Sequence, residues 1–467
     1  MVTGWSIIKL NYMKSYHYCL LAITALLAAM QPAMAQDAFS LEEAVQYAIQ
    51  QNINIRNARL ETVAAEAKIG ETRAIGLPQL SGNFGYTNNI IIQKFIVPAS
   101  TFNPGAPEDS PPMILDFGIK NTGMFGVNWN QLLFNGSYFV GLRAAATYRE
   151  LAQKGVEQTA VGVAEAVHKA YYSVQVAEQQ SEILHLNIDR LDTMLRETKA
   201  LYESGFVEKI DIDRIEVQRN NLVTEKQKVA NLIELSKALL KFQMGMPQSS
   251  AITLTDKLDP NLSLDEFRAL AGDQEQAVYA NRIEHSLLST QGKLADLDIR
   301  NIRSGYLPVI SASLGYGHNN GRTGFGELFS TKWFNNAAFN LNLQLPIFDG
   351  MSKHYQLQQK RIALDKINNN RALLEQSIDL EVKQANVNLT NSLEALVTHQ
   401  RNIDLAKEVV RVSKIKYQEG VGSNIEVINA ESSLKEAQTN YFAALYDLLI
   451  AKVDLQKARG ELYTSQK

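Results

Sequence analysis

The sequence predicts a mainly α-helical protein of long, coiled-coil-like helices that also contributes four strands to a transmembrane β-barrel. Three observations lead to this fold class. Long stretches lack proline, and the 467 residues hold only 11 Pro and 27 Gly, which favours long helices over a compact α/β enzyme. Three sequence landmarks occur twice in the same order, which indicates two internal repeats. Short segments between these landmarks alternate apolar and amide side chains, as membrane strands do.

Composition excludes several classes of protein. Hydrophobic residues make up 45% of the chain, charged residues make up 20%, and the formal net charge is -3. This ordinary balance argues against a disordered chain, a collagen and a strongly basic surface for nucleic acid. We therefore expect no nucleic-acid partner.

Residues 1–35 have the pattern of a cleaved secretory signal. Lys9 and Lys14 precede an apolar run that is too short to span a bilayer, and Ala33-Met34-Ala35 follows it. The true start is open between Met1 and Met13, because a signal of normal shape begins at either methionine. Cleavage after Ala35 would also remove Cys19, the only cysteine, so we expect an exported chain without disulfides or thiolate metal sites.

The duplicated landmarks divide the rest of the chain. The Leu-Pro at 77–78 recurs at 307–308, the Phe-Asn-Gly at 134–136 recurs as Phe-Asp-Gly at 348–350, and the Tyr-x-x-Gly at 202–205 recurs at 417–420. This spacing predicts a first repeat over 36–250, a linker over 251–262 and a second repeat over 263–467. The first repeat is longer only between Gln93 and Lys120, a proline-rich segment that we expect to form a surface loop.

Each repeat contains one predicted β-hairpin, at about 78–133 and about 308–347. Residues 339–345 alternate apolar and amide side chains, and residues 125–130 do the same. Trp129 and Trp333 fall near opposite ends of their strands, as membrane-interface aromatics would. No stretch after the signal has the roughly 18 apolar residues of a membrane-spanning helix, so insertion would need a barrel. Because four strands cannot close a barrel, we expect copies of the chain to pair its edges.

The helices are predicted from proline-free stretches at 137–203 and 351–419. Apolar residues recur there at spacings of three and four, and one seam continues from Leu364 to Val410. Such helices would be roughly 100 Å long at about 1.5 Å per residue. Gly205 and Gly420 end them and begin tight turns into returning helices. Capping signatures at Ser40 and Ser263 predict the first helix of each repeat, which we expect to continue to the Leu-Pro.

These duplicated landmarks together resemble the TolC family of outer-membrane efflux proteins over about residues 39–462. The resemblance implies a homotrimer in the outer membrane of a Gram-negative bacterium, with a twelve-stranded barrel among outer-membrane lipid and a helical tunnel in the periplasm. It also implies that the helix turns at Gly205 and Gly420 dock a periplasmic adaptor protein, which works with an inner-membrane efflux transporter. The implied function is an exit duct for small molecules or proteins.

The resemblance also implies a gate at the periplasmic tip. Family members carry two acidic residues on the returning helix of the second repeat, and the matching positions are Glu426 and Asn429, so one carboxylate is lost here. Three converging Glu426 carboxylates would favour cations. A second family contact corresponds to Tyr417 and Asp211. A basic residue that takes part in that contact is replaced here by glycine at position 422.

We expect no enzymatic activity, cofactor or metal site. The sequence lacks a phosphate-binding loop, a His-Glu-x-x-His motif and a Gly-x-Ser-x-Gly motif. The histidines are scattered without ligand spacing, and the carboxylates of Asp211 and Asp213 would lie on different faces of a helix. The remaining alternative is a periplasmic coiled-coil adaptor or structural binding protein without a pore.

Overall fold

A computed structural model describes residues 37–102, 104–105, 107, 109–258, 264–272 and 279–463, so the predicted signal at 1–35 lies outside the described residues. Helices dominate it. Their bounds are α1 Leu41–Gln51, α2 Ile53–Ala74, α3 Gly136–Glu203, α4 Lys209–Met244, α5 Leu264–Gly272, α6 Ile283–Ser304, α7 Glu327–Ser330, α8 Ser352–Gln418 and α9 Asn424–Arg459, with 3-10 turns at Ala99–Thr101 and Tyr279–Asn281. No helix in these described ranges is both long enough and apolar enough to cross a membrane.

The strands are β1 Asp37–Phe39, β2 Gln79–Asn88, β3 Lys94–Val97, β4 Met113–Asp116, β5 Asn121–Phe134, β6 Ile252–Leu254, β7 Val309–Arg322 and β8 Phe334–Gln344. Contacts between residues divide the chain into two compact units. Of the described residues, those within 37–57, 157–282 and 377–463 form one unit, and those within 58–156 and 283–376 form the other. The first unit holds the turns of the long helices, and the second holds the main sheet.

The two long helices confirm the prediction from periodicity. Helix α3 has 68 residues and α8 has 67, and the returning helices α4 and α9 have 36 each. Gly205 and Gly420 adopt φ of 78° and 73° at the turns, a left-handed conformation that ends a helix at little cost only in glycine. The predicted seam of α8 is its buried face, with Ile378, Leu389 and Val410 among its buried residues.

The first helix of each repeat is interrupted, contrary to the expectation of one helix up to the Leu-Pro. The capping box at Ser40 is confirmed, because Ser40 and Glu43 exchange side-chain-to-backbone hydrogen bonds. However, α1 ends at Asn52, whose amide donates to the carbonyl of Gln243 at 2.7 Å and whose Oδ1 accepts from the N–H of Asn54 at 2.8 Å. These bonds replace helical ones, so α2 starts anew.

The second repeat has a similar interruption. A 3-10 turn at Tyr279–Asn281 separates α5 from α6, and Ser263, the predicted cap, lies outside the described residues. The linker at 251–262 contains β6, which pairs in parallel with β1. We did not predict these strands, because three residues are too short to display a period of two. The carboxylate of Asp256 accepts from the N–H of Leu41 at 2.7 Å and so fixes the start of α1.

Gly460 ends α9 with φ of 74°, and a Cβ there would lie 2.6 Å from the carbonyl oxygen of Asn281. The variant Gly460→Ala should therefore lose about 2–4 kcal/mol, since a left-handed alanine costs about 1–2 kcal/mol and the backbone contact adds to that strain. Gly420→Ala is the matched control, because φ is 73° and nothing lies within 4 Å. The midpoint of urea unfolding in detergent measures both variants. Equal losses would contradict the steric part of the argument.

The main sheet has the strand order β2-β5-β7-β8, and every neighbouring pair is antiparallel. The four predicted strands are confirmed, and pairing of β5 with β7 joins the two hairpins. Strands β2 and β8 are the free edges of this sheet in the described chain. The segment at 93–120, expected as a loop, also forms a small ribbon in which β3 pairs with β4.

Candidate functional site

The main sheet has one apolar and one polar face. Register places Leu80, Trp129, Leu314 and Phe339 in one row across all four strands. The same face, called the apolar face below, carries Phe84, Tyr86, Phe125, Val127, Ile310, Tyr316, Leu341 and Leu343. Most of these side chains are exposed in the single chain. A large exposed apolar surface of this kind is typical of a face that contacts lipid.

The opposite face, called the polar face below, carries amides, hydroxyls and glycines. Its members include Gln79, Ser81, Asn83, Asn128, Asn130, Ser311, Ser313, Asn319, Asn336, Asn340, Asn342 and Gln344. The amide of Asn128 donates to Asn83 Oδ1 at 2.9 Å. None of the residues that register places on this face in β2, β5, β7 and β8 is ionisable. The polar face can therefore contact water, and its side chains in these strands carry no charge.

Aromatic clusters lie near both ends of the sheet. At the distal end, where β2 ends and β8 begins, the ring of Phe125 lies 5.0 Å from that of His318 and 5.1 Å from that of Trp333. At the proximal end, where the helices attach, Phe134 and Phe139 lie 6.1 Å apart. Sequence analysis missed these clusters, because their members come from several strands and loops.

The predicted interface tryptophans occupy different positions. Trp333 directly precedes β8 and belongs to the distal aromatic cluster. Trp129 lies inside β5, opposite Leu80 and Leu314 in the register. The structure therefore places Trp333 at a strand end and Trp129 among the aliphatic side chains of the apolar face.

The turns of the long helices bring the predicted gate residues into one region. Glu426 and Asn429 are exposed on the first turns of α9. Tyr417, at the end of α8, packs against a buried cluster formed by Met194, Ile215 and Val427. Position 422 has no room for a larger side chain, because a Cβ on this glycine would lie 2.8 Å from the Cβ of Lys416.

Tyr417 and Asp211 are neighbours but do not hydrogen-bond in the described chain. The hydroxyls of Tyr417 and Thr198 are buried, and neither reaches hydrogen-bond geometry with a partner among the described residues. The pKa of Tyr417 is raised, mainly because its hydroxyl is buried. The negative charge of Asp211 raises this pKa further, whereas the Thr198 hydroxyl lowers it. The backbone carbonyl of Asp211 instead accepts from the amide of Asn424 at 2.8 Å.

Sequence analysis missed a polar network that connects α3 to α9. Arg190 pairs with Glu431 at 3.0 Å, and 8% of the Glu431 side chain is exposed. Arg190 also donates to Asn187 Oδ1 at 2.7 Å, and the amide of Asn187 donates to Gln438 Oε1 at 2.7 Å. Burial raises the pKa of Glu431, and the positive charge of Arg190 lowers it. Nothing in the local sequence marks these residues, because the partners are far apart in the chain.

The described part of the chain contains no candidate metal site, because no group of three or more His, Cys, Asp or Glu side chains is placed to hold an ion there. The arrangement instead offers surfaces: a sheet with an apolar and an uncharged polar face, and helix turns with exposed polar residues.

Comparisons with known proteins agree with these surfaces. The family model for outer membrane efflux proteins matches residues 44–237 and 289–461. The outer membrane protein TolC of Vibrio cholerae serotype O1 is 23% identical over 341 residues, which cover 72% of this chain and 76% of that protein. The outer membrane efflux protein BepC of Brucella suis is 22% identical, with 74% of each chain covered. The crystal structure of VceC from Vibrio cholerae superimposes with a TM-score of 0.67 at 15% identity, covering 90% of this chain and 96% of that one.

Proposed function

Because this chain belongs to the outer membrane efflux protein family, we propose that three copies of it form the exit duct of a tripartite efflux system. The protein is an outer-membrane efflux channel rather than an enzyme. The alternative of an adaptor without a pore is therefore set aside. The observation that carries the proposal is the open four-stranded sheet, which has one apolar face and one uncharged polar face.

The free strand edges support the trimer. Strands β2 and β8 leave backbone groups unpaired along both edges of the sheet, and closure into a barrel removes such edges. Three copies would supply twelve strands. Exposed apolar side chains on the helices offer further contact between copies: Leu232, Leu235, Leu239 and Phe242 on α4, and Leu373, Leu380 and Val387 on α8.

The distance between aromatic clusters supports insertion in the outer membrane. Phe125 and Phe134 are nine residues apart in β5, which is about 30 Å along a strand and about 23 Å along the membrane normal at a tilt near 40°. Outer-membrane barrels carry an apolar band about 25 Å tall between aromatic girdles. In this arrangement Trp333 lies at an interface and the polar face lines the passage.

The partners in the inner membrane and periplasm are proposed from the family. The helix turns at Gly205 and Gly420 would dock a periplasmic adaptor protein, which connects the duct to an inner-membrane transporter. Both turns belong to the same compact unit of the chain, which supports a shared docking surface. Co-purification of this chain with an adaptor from its own organism, lost on replacing both turns by Gly-Ser linkers, tests the docking surface.

Planar-bilayer recording of the detergent-extracted protein tests the duct, together with its mass in solution and its membrane fraction. We expect a heat-modifiable trimer in the outer membrane and a small closed-state current. A monomer that carbonate releases from the membrane, with no current at any protein concentration, would exclude the proposed duct.

We propose that three Glu426 carboxylates at the tip favour cations. Glu426 is exposed in the single chain, so its charge is free to act on ions that pass. The variant Glu426→Gln should lose cation selectivity and block by divalent cations in bilayer recordings, because three negative charges are removed. Asn429→Asp is the reciprocal variant and should strengthen both properties. Unchanged reversal potentials in both variants would contradict the role of this ring.

We also propose that Tyr417 and Asp211 help to keep the tip closed. Tyr417→Phe should raise the closed-state current if the hydroxyl makes a gating contact that forms only in the assembled channel. The packing of the ring against Met194 and Ile215 stays the same in this variant. If Tyr417→Phe left both the closed-state current and the thermal stability unchanged, the hydroxyl would have no role in closing the tip, and Tyr417 would contribute only through the packing of its ring.

A further inference from the structure

A short ribbon extends the distal end of the sheet in the first repeat only. It consists of β3 and β4 and is called the β3–β4 ribbon below. The N–H of Asn89 donates to the carbonyl of Lys120 at 2.7 Å, and the N–H of Phe117 donates to that of Gln93 at 2.9 Å. The ribbon is therefore a continuation of the hairpin formed by β2 and β5, and it accounts for the extra residues between Gln93 and Lys120.

Both faces of the β3–β4 ribbon carry exposed apolar side chains. Register places Ile96 opposite Ile114 on one face, called face one, where their exposed fractions are 70% and 63%. The other face, called face two, carries Phe95, Val97, Met113 and Leu115. The rings of Phe95 and Phe117 contact each other in a tilted arrangement, with their centroids 5.0 Å apart, and Phe117 is also exposed.

Because apolar side chains are exposed on both faces, only some kinds of surface can cover the ribbon. A ribbon that lay in water would expose the apolar side chains of both faces, and contiguous exposed apolar surface is typical of an interaction site. A ribbon that lay on a lipid surface would need one apolar face and one polar face. Here Lys94 and Asp116 are the only charged residues in the two strands, and both lie at one end of face one. Protein on both sides fits this pattern better.

We propose that the β3–β4 ribbons of neighbouring copies pack against one another, with face one of each copy on face two of the next. The two faces differ, so the contact is head-to-tail and closes into a ring when the copies are related by cyclic symmetry. The ribbon grows from β2, a free edge of the sheet, where a barrel would place the next copy. The inference rests on the proposed trimer and adds a contact between copies beyond those proposed for the sheet edges and the helices.

Engineered disulfides test this contact. The chain has one cysteine, Cys19, so Cys19→Ser provides a thiol-free parent. We expect Ile96→Cys combined with Met113→Cys to form dimers and trimers linked by disulfides after mild oxidation, because the two positions lie on different faces. Each single variant should remain unlinked. The control pair Ile96→Cys with Ile114→Cys places both thiols opposite each other on face one and should form only an intrachain bond.

The possible outcomes distinguish failure of the ribbon contact from failure of the proposed trimer. Crosslinking of Ile96→Cys alone would indicate face one on face one and would overturn the head-to-tail arrangement. A trimeric mass without links in the Ile96→Cys, Met113→Cys variant would overturn the ribbon contact and leave the duct in place. Quenching of bimane on Ile96→Cys by doxyl-labelled lipid would show that lipid covers face one, which also overturns it. A monomeric mass would instead remove the trimer itself.

Discussion

Leu341→Arg should remove most of the folded trimer from the outer membrane. Leu341 lies on the apolar face of β8, two residues beyond Phe339 at the centre of the strand, and 64% of it is exposed in the single chain. An arginine that faces lipid costs about 2–4 kcal/mol at the bilayer midplane and less toward the interfaces. The trimer would contain three such arginines, so their costs add. Heat-modifiable trimer in isolated outer membranes, measured on gels and by mass, gives the readout.

Asn340→Arg provides the matched control for Leu341→Arg. Asn340 is the preceding residue on β8, and register places it on the polar face opposite Ser313. An arginine there would meet water in the passage, so we expect normal trimer and reduced cation conductance. If both variants lost trimer equally, or if Leu341→Arg lost none, the apolar face would not be the lipid-facing one.

Arg190→Met should destabilise the packing of α3 against α9. It removes the ion pair that Arg190 makes with buried Glu431, leaving only the weaker influence of the Lys414 charge, and it deprives Asn187 of a donor. Breaking a buried ion pair costs about 3–5 kcal/mol, and we expect about 3 kcal/mol because 36% of the Arg190 side chain is exposed. Hydrogen exchange or limited proteolysis near residues 187–190 and 431–438 locates the change, and urea unfolding measures it.

Two further variants identify the cause of that loss. Lys407→Met removes an ion pair with Asp404 in which 59% and 63% of the side chains are exposed, so it should cost about 0–1 kcal/mol. Arg190→Met combined with Glu431→Met should recover most of the stability, because apolar residues of similar size often replace a buried pair without loss. A double variant as unstable as Arg190→Met would assign the loss to packing instead.

The effect of Arg190→Met should depend on pH in one direction. Burial raises the pKa of Glu431 in the folded chain. Folding therefore favours the neutral form of this carboxyl group. As the pH rises through that pKa, Glu431 becomes ionised and the folded protein loses stability. Removing Arg190 raises the pKa further. The loss in Arg190→Met should therefore be largest at alkaline pH, where Glu431 is ionised, and should shrink on acidification as Glu431 binds a proton. A loss that grew on acidification would contradict this assignment.

The sequence by itself determined the elements whose signals are local. Proline-free periodicity predicts α3 and α8, because the spacing of apolar side chains follows the face that is buried. Gly205 and Gly420 predict the turns, since only glycine enters the left-handed region cheaply. Alternation in residues 339–345 predicts a strand with two different faces. Family membership then follows from the order and duplication of these elements along the chain.

Only the tertiary structure decided which distant surfaces meet. Asn52 looks like an ordinary helical residue until its amide reaches the carbonyl of Gln243, and that contact ends α1. Arg190 and Glu431 each resemble a solvated helix charge, and pairing buries them together. Pairing of β5 with β7 and exposure of both faces of the β3–β4 ribbon also lie beyond any local pattern. The physical reason is that periodicity reports whether a face is covered, whereas the identity of what covers it depends on packing between segments far apart in the chain.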